Sequence, residues 1–478
     1  MQSKIPLQLL QMLNMPLDAQ VTQEFIAISE LPLRLSVRVN PLKMSIADFQ
    51  ALALSQGWSL QAIPWCETGF WLRLNDQDQG KLGNLLEHIL GCFYIQEASS
   101  MLPVEALFHQ LNSIDINTCI LDAAAAPGSK STQLAARMNN QGLLVANEYS
   151  ASRLKGLYAN VLRCGISNTA LSHHNADVFG SWLPDSFDAV LLDAPCSGEG
   201  TYRKDRKAFN NWSLESVNSI AQLQESLINS AYQALKPGGV LVYSTCTLNP
   251  IENQQVVQSL LNDYPHQLEA IELTELFEGA HQCRSDNGSL LVMPQVFDSE
   301  GFYIAALRKS PNAPLQTPKQ RKARDSGFKP VSSKQAETIR NYFENQFGYH
   351  FNASPNLYNR DNEFWLFAKP MQTLETKLRF SRLGLKLADQ HKKVVRATHE
   401  VAMALGNDFK HNCIELSRSQ CIEYLQGKDL HGVDGLEELS SGDILIRYQG
   451  LSVGLAKNLQ TRLKNALPRD LVKDAKIY

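Results

Sequence analysis

No apolar run in this 478-residue chain approaches the roughly 18 residues that a membrane-spanning helix needs. The N-terminus MQSKIPLQLLQML has no basic segment followed by a long apolar stretch and a cleavage site, so cytoplasmic residence is the expectation. Disulfide and zinc frameworks are missing as well. The nine cysteines are scattered, with no CxxC pair and no Cys/His spacing of zinc-ligating type, so no metal site is expected, and the odd count argues against a disulfide framework and for reduced thiols. Nor is there a large charge of either sign: the formal net charge is −3, so any binding of a polyanion must rest on local patches. Residues 309–329 carry six Lys or Arg against Asp325 alone, and residues 447–478 carry seven against Asp470 and Asp474.

The chain is too long for one core and predicts about three domains. Its central part alternates strand and helix. TCILDAAAA (118–126), GLLVANE (142–148), NTALSHHN (168–175), FDAVLLDAPC (187–196) and GVLVYSTC (239–246) read as buried strands. KSTQLAARM, the stretch 150–165 with Ser150 as N-cap, and Asn218 to Leu235 read as the helices between them. That alternation predicts an α/β fold with a mainly parallel, doubly wound sheet. The expected divisions are a mixed N-terminal subdomain over 1–100, a catalytic domain over 101–310, a basic linker over 311–330, a small mixed unit over 331–380 and a final domain over 381–478.

Cys196 and Cys246 each sit where an apolar run stops, and in an open α/β sheet the C-terminal strand ends face the active-site crevice. Two thiols there can divide the methylation of a pyrimidine carbon, one attacking the ring and the other helping to release it. The competing reading is a pair of core cysteines, since free Cys is among the most buried residue types.

Asp122-Ala-Ala-Ala-Ala-Pro-Gly-Ser-Lys130 joins a strand to a helix through small residues, which lets the backbone approach a ligand and aim helix N-terminal N–H groups at it. It is not a P-loop, because Ser129 separates Gly128 from Lys130 and the first Gly is absent. Glu148 ends the next strand 20 residues after Gly128, where doubly wound folds place a carboxylate on ribose hydroxyls, although it equally suits capping of the next helix. Asn175, with Asp177 as a near alternative, ends the third strand, where an adenine edge would lie. Arg203 and Lys204 suit either a phosphate grip or a solvated loop. Lys130 suits a ligand contact or a surface helix start.

Taken together, DAAAAPGSK, Glu148, DAPCSGEG, KPGG and STCTLNPIEN resemble the RNA cytosine-5 methyltransferases that use S-adenosylmethionine, over residues 91–309 and in the family's order. GDILIRYQGLSVGLAK (442–457) more loosely resembles a PUA-like RNA-binding domain. The resemblance implies a Rossmann-like methyltransferase core with RNA-binding regions on both sides, and methylation of C5 of a specific cytosine in 16S ribosomal RNA. It implies S-adenosylmethionine held by Ala124, Ala125, Ala126, Pro127, Gly128, Ser129, Lys130, Glu148, Asn175 and Asp193. It also implies Cys246 as nucleophile, Cys196 as the group assisting release, and Asp193 on the base. The implied partner is ribosomal RNA, free or in the assembled small subunit, met by a monomer. Ala124, where many members have Cys, and Asn175, where Asp is common, depart from the pattern. The alternatives are another RNA such as tRNA as substrate, or a non-catalytic RNA-binding assembly factor.

That family assignment makes chemical sense of the thiols. Cytosine C5 is too poor a nucleophile to take a methyl group unaided, and a thiolate added at C6 makes it enamine-like. The C5 proton must then leave before the thiol is eliminated. A stacked base is out of reach, so the target is flipped or unpaired.

Overall fold

The computed structural model describes residues 5–14, 19–111, 113–317, 325–351, 355–392 and 394–478. The centre of the expected basic linker, 318–324, and the first four residues lie outside them. Among the described residues no helix is long and apolar enough to cross a membrane.

The N-terminal sheet contains β1 (Ser36–Val39), β2 (Ser59–Ile63), β3 (Cys66–Arg73) and β4 (Phe93–Ile95), in the order β2-β3-β1-β4. The central sheet is built from β5 (Cys119–Asp122), β6 (Leu143–Asn147), β7 (Thr169–Ser172), β8 (Phe187–Asp193), β9 (Leu235–Thr245), β10 (Leu268–Ile271), β11 (Leu290–Val292) and β12 (Phe302–Lys309). Strands β13 (Lys329–Pro330), β14 (Leu357–Arg360), β15 (Glu363–Leu366), β16 (Phe380–Leu383), β17 (Leu385–His391) and β18 (Val394–Ala397) follow, and then β19 (Cys413–Glu415), β20 (Gly442–Tyr448), β21 (Leu451–Asn458) and β22 (Leu463–Asn465).

The central order is β10-β12-β9-β8-β5-β6-β7-β16, with β11 on β12. Strands β7, β6, β5, β8 and β9 are parallel, and β12 runs antiparallel to β9. This is the Rossmann-like, doubly wound sheet that the alternating pattern predicts. Every residue of β5 and β6 is buried, as expected of strands covered by helices on both faces. Asp122 pairs with Leu191 and Ala146, and Asp193 with Ser244, so the C-terminal ends of β5, β6, β8 and β9 lie side by side.

Three local readings need correction. The helix expected from Asn218 begins at Leu214, because Ser213 and Ser216 form a reciprocal capping box ahead of it. Lys236-Pro237-Gly238-Gly239 does not precede β9 but lies inside it, bulged out between the Phe187–Leu235 and Ala189–Val240 pairs while Lys236 reaches both oxygens of Asp188 at 2.8 Å. The boundary expected at residue 380 falls within continuous pairing: β17 and β18 extend the sheet of β13, β14 and β15 to Ala397, and β16 crosses to cover the free edge of β7. Apolar residues of the C-terminal third, among them Phe328, Trp365, Phe367 and Leu378, share one buried cluster with Val145, Leu192 and Tyr232.

Candidate active site

Strands β8 and β9 end as parallel neighbours, and the chain beyond them keeps pairing: Ala194 N donates to Ser244 O at 2.9 Å. The turn Asp193-Ala-Pro-Cys196 and the step from Thr245 to Cys246 then bring Cys196 Sγ within 3.2 Å of Cys246 Sγ. Both thiols are free and half-buried, unlike the fully buried Cys66, Cys92, Cys119 and Cys164. Contact with Cys246, then burial, then the charges of Glu252 and Asp193 push the Cys196 thiol well above its ordinary pKa. The two sulfurs are within hydrogen-bond distance, and either can be the donor. Gly200 packs tightly against both the Cys246 segment and Gly301. Its N donates to Cys246 O at 2.9 Å, and a Cβ there would stand 2.1 Å from Gly301 O, so no larger residue fits.

A buried polar network holds the two cysteine loops together, and residue-by-residue reading of the sequence missed it. Glu252 accepts from Ser197 N (3.0 Å), Gln224 Nε2 (2.9 Å) and Asn249 Nδ2 (2.8 Å), and Gln224 also donates to Pro195 O at 2.8 Å. Glu199 accepts from Trp212 Nε1 at 2.6 Å and Asn249 Nδ2 at 2.8 Å. Burial, and after it the charge of Glu252, raises the Glu199 pKa. The signal was the segment STCTLNPIEN itself, too polar for a stretch that folds inward.

Lys130 is buried, not a surface helix start. Its Nζ donates to Asp193 Oδ2 at 2.8 Å, while Ser244 Oγ donates to Asp193 Oδ1 at 2.8 Å. Burial pulls the Lys130 pKa down, but Asp193, with Asp122 and Cys246 behind it, outweighs this and leaves it raised. A fixed ammonium thus faces the thiols and the carboxylate.

The small-residue loop crosses the ends of β5 and β6. Ala125 N donates to Asn147 O at 2.7 Å, Asn160 Nδ2 donates to Pro127 O at 2.8 Å, Arg153 holds Ala126 O, and Ala124 is left half-exposed. Gly128 has φ +107°, a backbone conformation that favours glycine, and a Cβ on it would push against Leu157 Cδ1 at 2.9 Å. Ser129 opens the helix Ser129–Arg137, whose first N–H groups have no intrahelical acceptor. Arg38 locks that helix start to the N-terminal sheet, donating to Ser129 O at 2.7 Å and Thr132 Oγ1 at 2.9 Å. Nothing local in the sequence around Arg38 says that this arginine is buried. Beneath the loop, Asp122 takes a hydrogen bond from Ser131 Oγ at 2.6 Å through Oδ2, while its Oδ1 has no partner among the described residues. Burial raises its pKa to about 7.

Glu148 is buried at the end of β6. One oxygen accepts from Ser150 N at 2.7 Å and the other lies 3.5 Å from Arg153 Nη1, so it does anchor the next helix start. Ser150, expected as the N-cap, makes no capping hydrogen bond with its side chain. Asn175 is exposed and folds back on Asp177, Nδ2 to Oδ2 at 2.7 Å, as a self-capped turn.

Some basic residues expected to meet a polyanion are consumed internally. Arg203 is buried on Asp298 Oδ1 (2.7 Å) and Pro32 O (2.8 Å). Lys309 is buried on Asp185 Oδ1 and Leu235 O, each at 2.7 Å, and Arg447 binds the carbonyls of Gly406, Asn407 and Phe409. Each fixes an irregular segment whose carbonyls or carboxylate need a donor.

Comparison with known proteins decides the family. Residues 109–308 match the family model described as 16S rRNA methyltransferase RsmB/F, and residues 5–98 match the N-terminal domain of 16S rRNA methyltransferase RsmF. Residues 328–405 match the pre-PUA domain of ribosomal RNA small subunit methyltransferase F, and 411–473 match the RsmF PUA domain. The chain is 50% identical to ribosomal RNA small subunit methyltransferase F of Aeromonas salmonicida (strain A449) over 456 residues, covering 95% of this chain and 94% of that one. The chain belongs to the ribosomal RNA small subunit methyltransferase F family. The counterpart from Shewanella sediminis (strain HAW-EB3) is also 50% identical, over 94% of this chain and 93% of its own. Among solved structures, a methyltransferase homolog protein from Pyrococcus horikoshii matches with a TM-score of 0.51 at 29% identity, over 64% of this chain and 100% of that one. NSun6 from the same organism, solved with SFG, shares the fold at 21% identity with a TM-score of 0.54, over 64% of this chain and 98% of its own.

Proposed function

We propose that this chain transfers a methyl group from S-adenosylmethionine to C5 of a cytosine in 16S ribosomal RNA, with Cys246 as the nucleophile at C6. The observation that carries the reading is the 3.2 Å approach of Cys196 and Cys246 at the ends of neighbouring parallel strands. Two structural cysteines need no such meeting in a half-buried crevice. The names of the relatives favour small-subunit ribosomal RNA as the substrate, which such an enzyme meets in the cytoplasm.

The loop Ala124 to Lys130 fits the cofactor: a tight glycine, a free helix N-terminus and an orphaned Asp122 oxygen lie together, with Glu148 at the next strand end. S-adenosylmethionine, when bound there, supplies an electrophilic methyl group. Asp193, fixed by Lys130 and Ser244, has lone pairs left to accept from the exocyclic amine of the base. The Cys246 thiolate adds to C6 and makes C5 nucleophilic. Cys196 gives its thiol proton to the departing Cys246 sulfur and so assists elimination. Water ordered beside it is then the base for the C5 proton.

Incubation with labelled S-adenosylmethionine and 16S ribosomal RNA, free and in assembled small subunits, followed by mapping of 5-methylcytosine, tests this. Label is expected at one cytosine. A chain that binds both ligands yet transfers no label is an RNA-binding factor instead.

A further inference from the structure

Glu300 stands just beyond the active-site end of β9. Strand β12 runs antiparallel to β9 with Tyr303 opposite Thr245, and Gly301 N donates to Gly200 O at 3.1 Å while Gly200 N donates to Cys246 O. Two backbone hydrogen bonds thus connect residue 301 to the Cys246 carbonyl. Glu300 precedes β12 by two residues, its carboxyl lies within the field of Lys130, and the Lys130 ammonium is 5.3 Å from the Phe302 ring centroid. Phe302 belongs to the apolar cluster on which Cys246 packs.

The Glu300 side chain is buried, with the residue only 4% exposed, and its Oε1 has no hydrogen-bond partner among the described residues. Its neighbour Glu97 is fully used in structure: that carboxylate accepts from Ser99 Oγ, from Ser100 N at 3.1 Å and from Glu300 N at 3.0 Å. Burial first, and then the charge of Glu97, raises the Glu300 pKa, against the opposing fields of Lys204, Lys130 and Arg203. A neutral carboxyl is a donor as well as an acceptor. A buried one without a partner carries a desolvation cost that a ligand would relieve.

We propose that Glu300 completes the pocket of the target base, donating its carboxyl proton in a hydrogen bond to N3 or O2 of the flipped pyrimidine. This rests on the methyltransferase reading above. The chemistry is complementary: Asp193, paired with Lys130, accepts from the exocyclic amine, whereas N3 and O2 are acceptors and need a donor. Addition of a thiolate at C6 places negative charge on that side of the ring, so the donor bond strengthens as the adduct forms.

The test compares the full-length chain with Glu300→Ala and Glu300→Gln under single turnover at saturating 16S ribosomal RNA, with S-adenosylmethionine affinity and thermal midpoint measured for each. Glu300→Ala is expected to slow methyl transfer at least about tenfold with affinity and midpoint unchanged. Glu300→Gln, which keeps an N–H donor, is expected to stay within about threefold of wild type. The alanine penalty should persist on RNA carrying 2′-deoxycytidine at the target position. An alanine variant as fast as wild type, equal losses in both variants, losses that follow cofactor affinity or midpoint, or a penalty that vanishes on the deoxy substrate would overturn the proposal. A wild-type chain that transfers no methyl group sinks the function and this proposal together, whereas an active wild type with an unimpaired alanine variant overturns only this one.

Discussion

Lys130 Nζ lies 2.8 Å from Asp193 Oδ2, with the lysine side chain 8% exposed and the carboxylate 30% exposed. This contact ties the helix after the small-residue loop to the loop that carries Cys196, so the two loops share one electrostatic unit. Asp193→Ala leaves the ammonium buried without its counter-ion. The variant is expected to lose about 1.5–3 kcal/mol of stability, measured by urea unfolding, and methyl transfer by at least about 100-fold. Full activity in a folded variant would remove Asp193 from the base pocket.

Glu148→Ala is expected to weaken S-adenosylmethionine binding by about 1.5–3 kcal/mol, the worth of charge-assisted hydrogen bonds to a ribose. Because Glu148 also holds Ser150 N, the thermal midpoint should fall slightly. Calorimetry that shows unchanged affinity would leave Glu148 with the helix-anchoring role alone.

Asp122 gives the ligand-free protein a pH signature. Its native pKa, about 7, lies above the ordinary 3.8, so between those values the native state keeps a proton that the unfolded chain releases. This contribution to stability therefore falls as pH rises from about 4 to about 7 and is constant above. Unfolding free energies measured across that window should show the slope, and Asp122→Asn should flatten it.

Lys457 on β21 and Lys464 on β22 are exposed and directly opposed in register. Like charges so placed repel each other, and a polyanion on that face would relieve the repulsion. The double substitution Lys457→Gln/Lys464→Gln should leave stability equal or slightly higher. It should also reduce the slope of log affinity against log salt for ribosomal RNA by about 1.4–1.8. An unchanged slope would place the RNA elsewhere.

Legibility followed how local each determinant was. Strand ends, the glycine turn and the two cysteines announce themselves because buried parallel strands are continuous apolar runs that stop at polar turns. What escaped the sequence depends on distant partners. Arg38, Arg203 and Lys309 look like solvated charges until the fold supplies carbonyls and carboxylates around them. The crossing of β16 to β7 joins residues some 200 positions apart, and no composition shift marks it. Removing everything after residue 330 would uncover the β7 edge and strip Trp365 and Phe367 from the apolar cluster that holds Val145, Leu192 and Tyr232, so charge substitutions probe RNA binding more cleanly than truncation.

The central claim is the division of labour between two thiols 3.2 Å apart, and a denaturing gel of protein incubated with S-adenosylmethionine and its RNA substrate tests it most directly. Cys246→Ala should abolish methylation and form no covalent protein–RNA band. Cys196→Ala should still attack and transfer but resolve slowly, so methylated RNA should migrate with the protein, bonded to Cys246. An adduct that survives Cys246→Ala and disappears with Cys196→Ala would reverse the roles, and loss of stability with no trapped RNA in either variant would return both cysteines to the core.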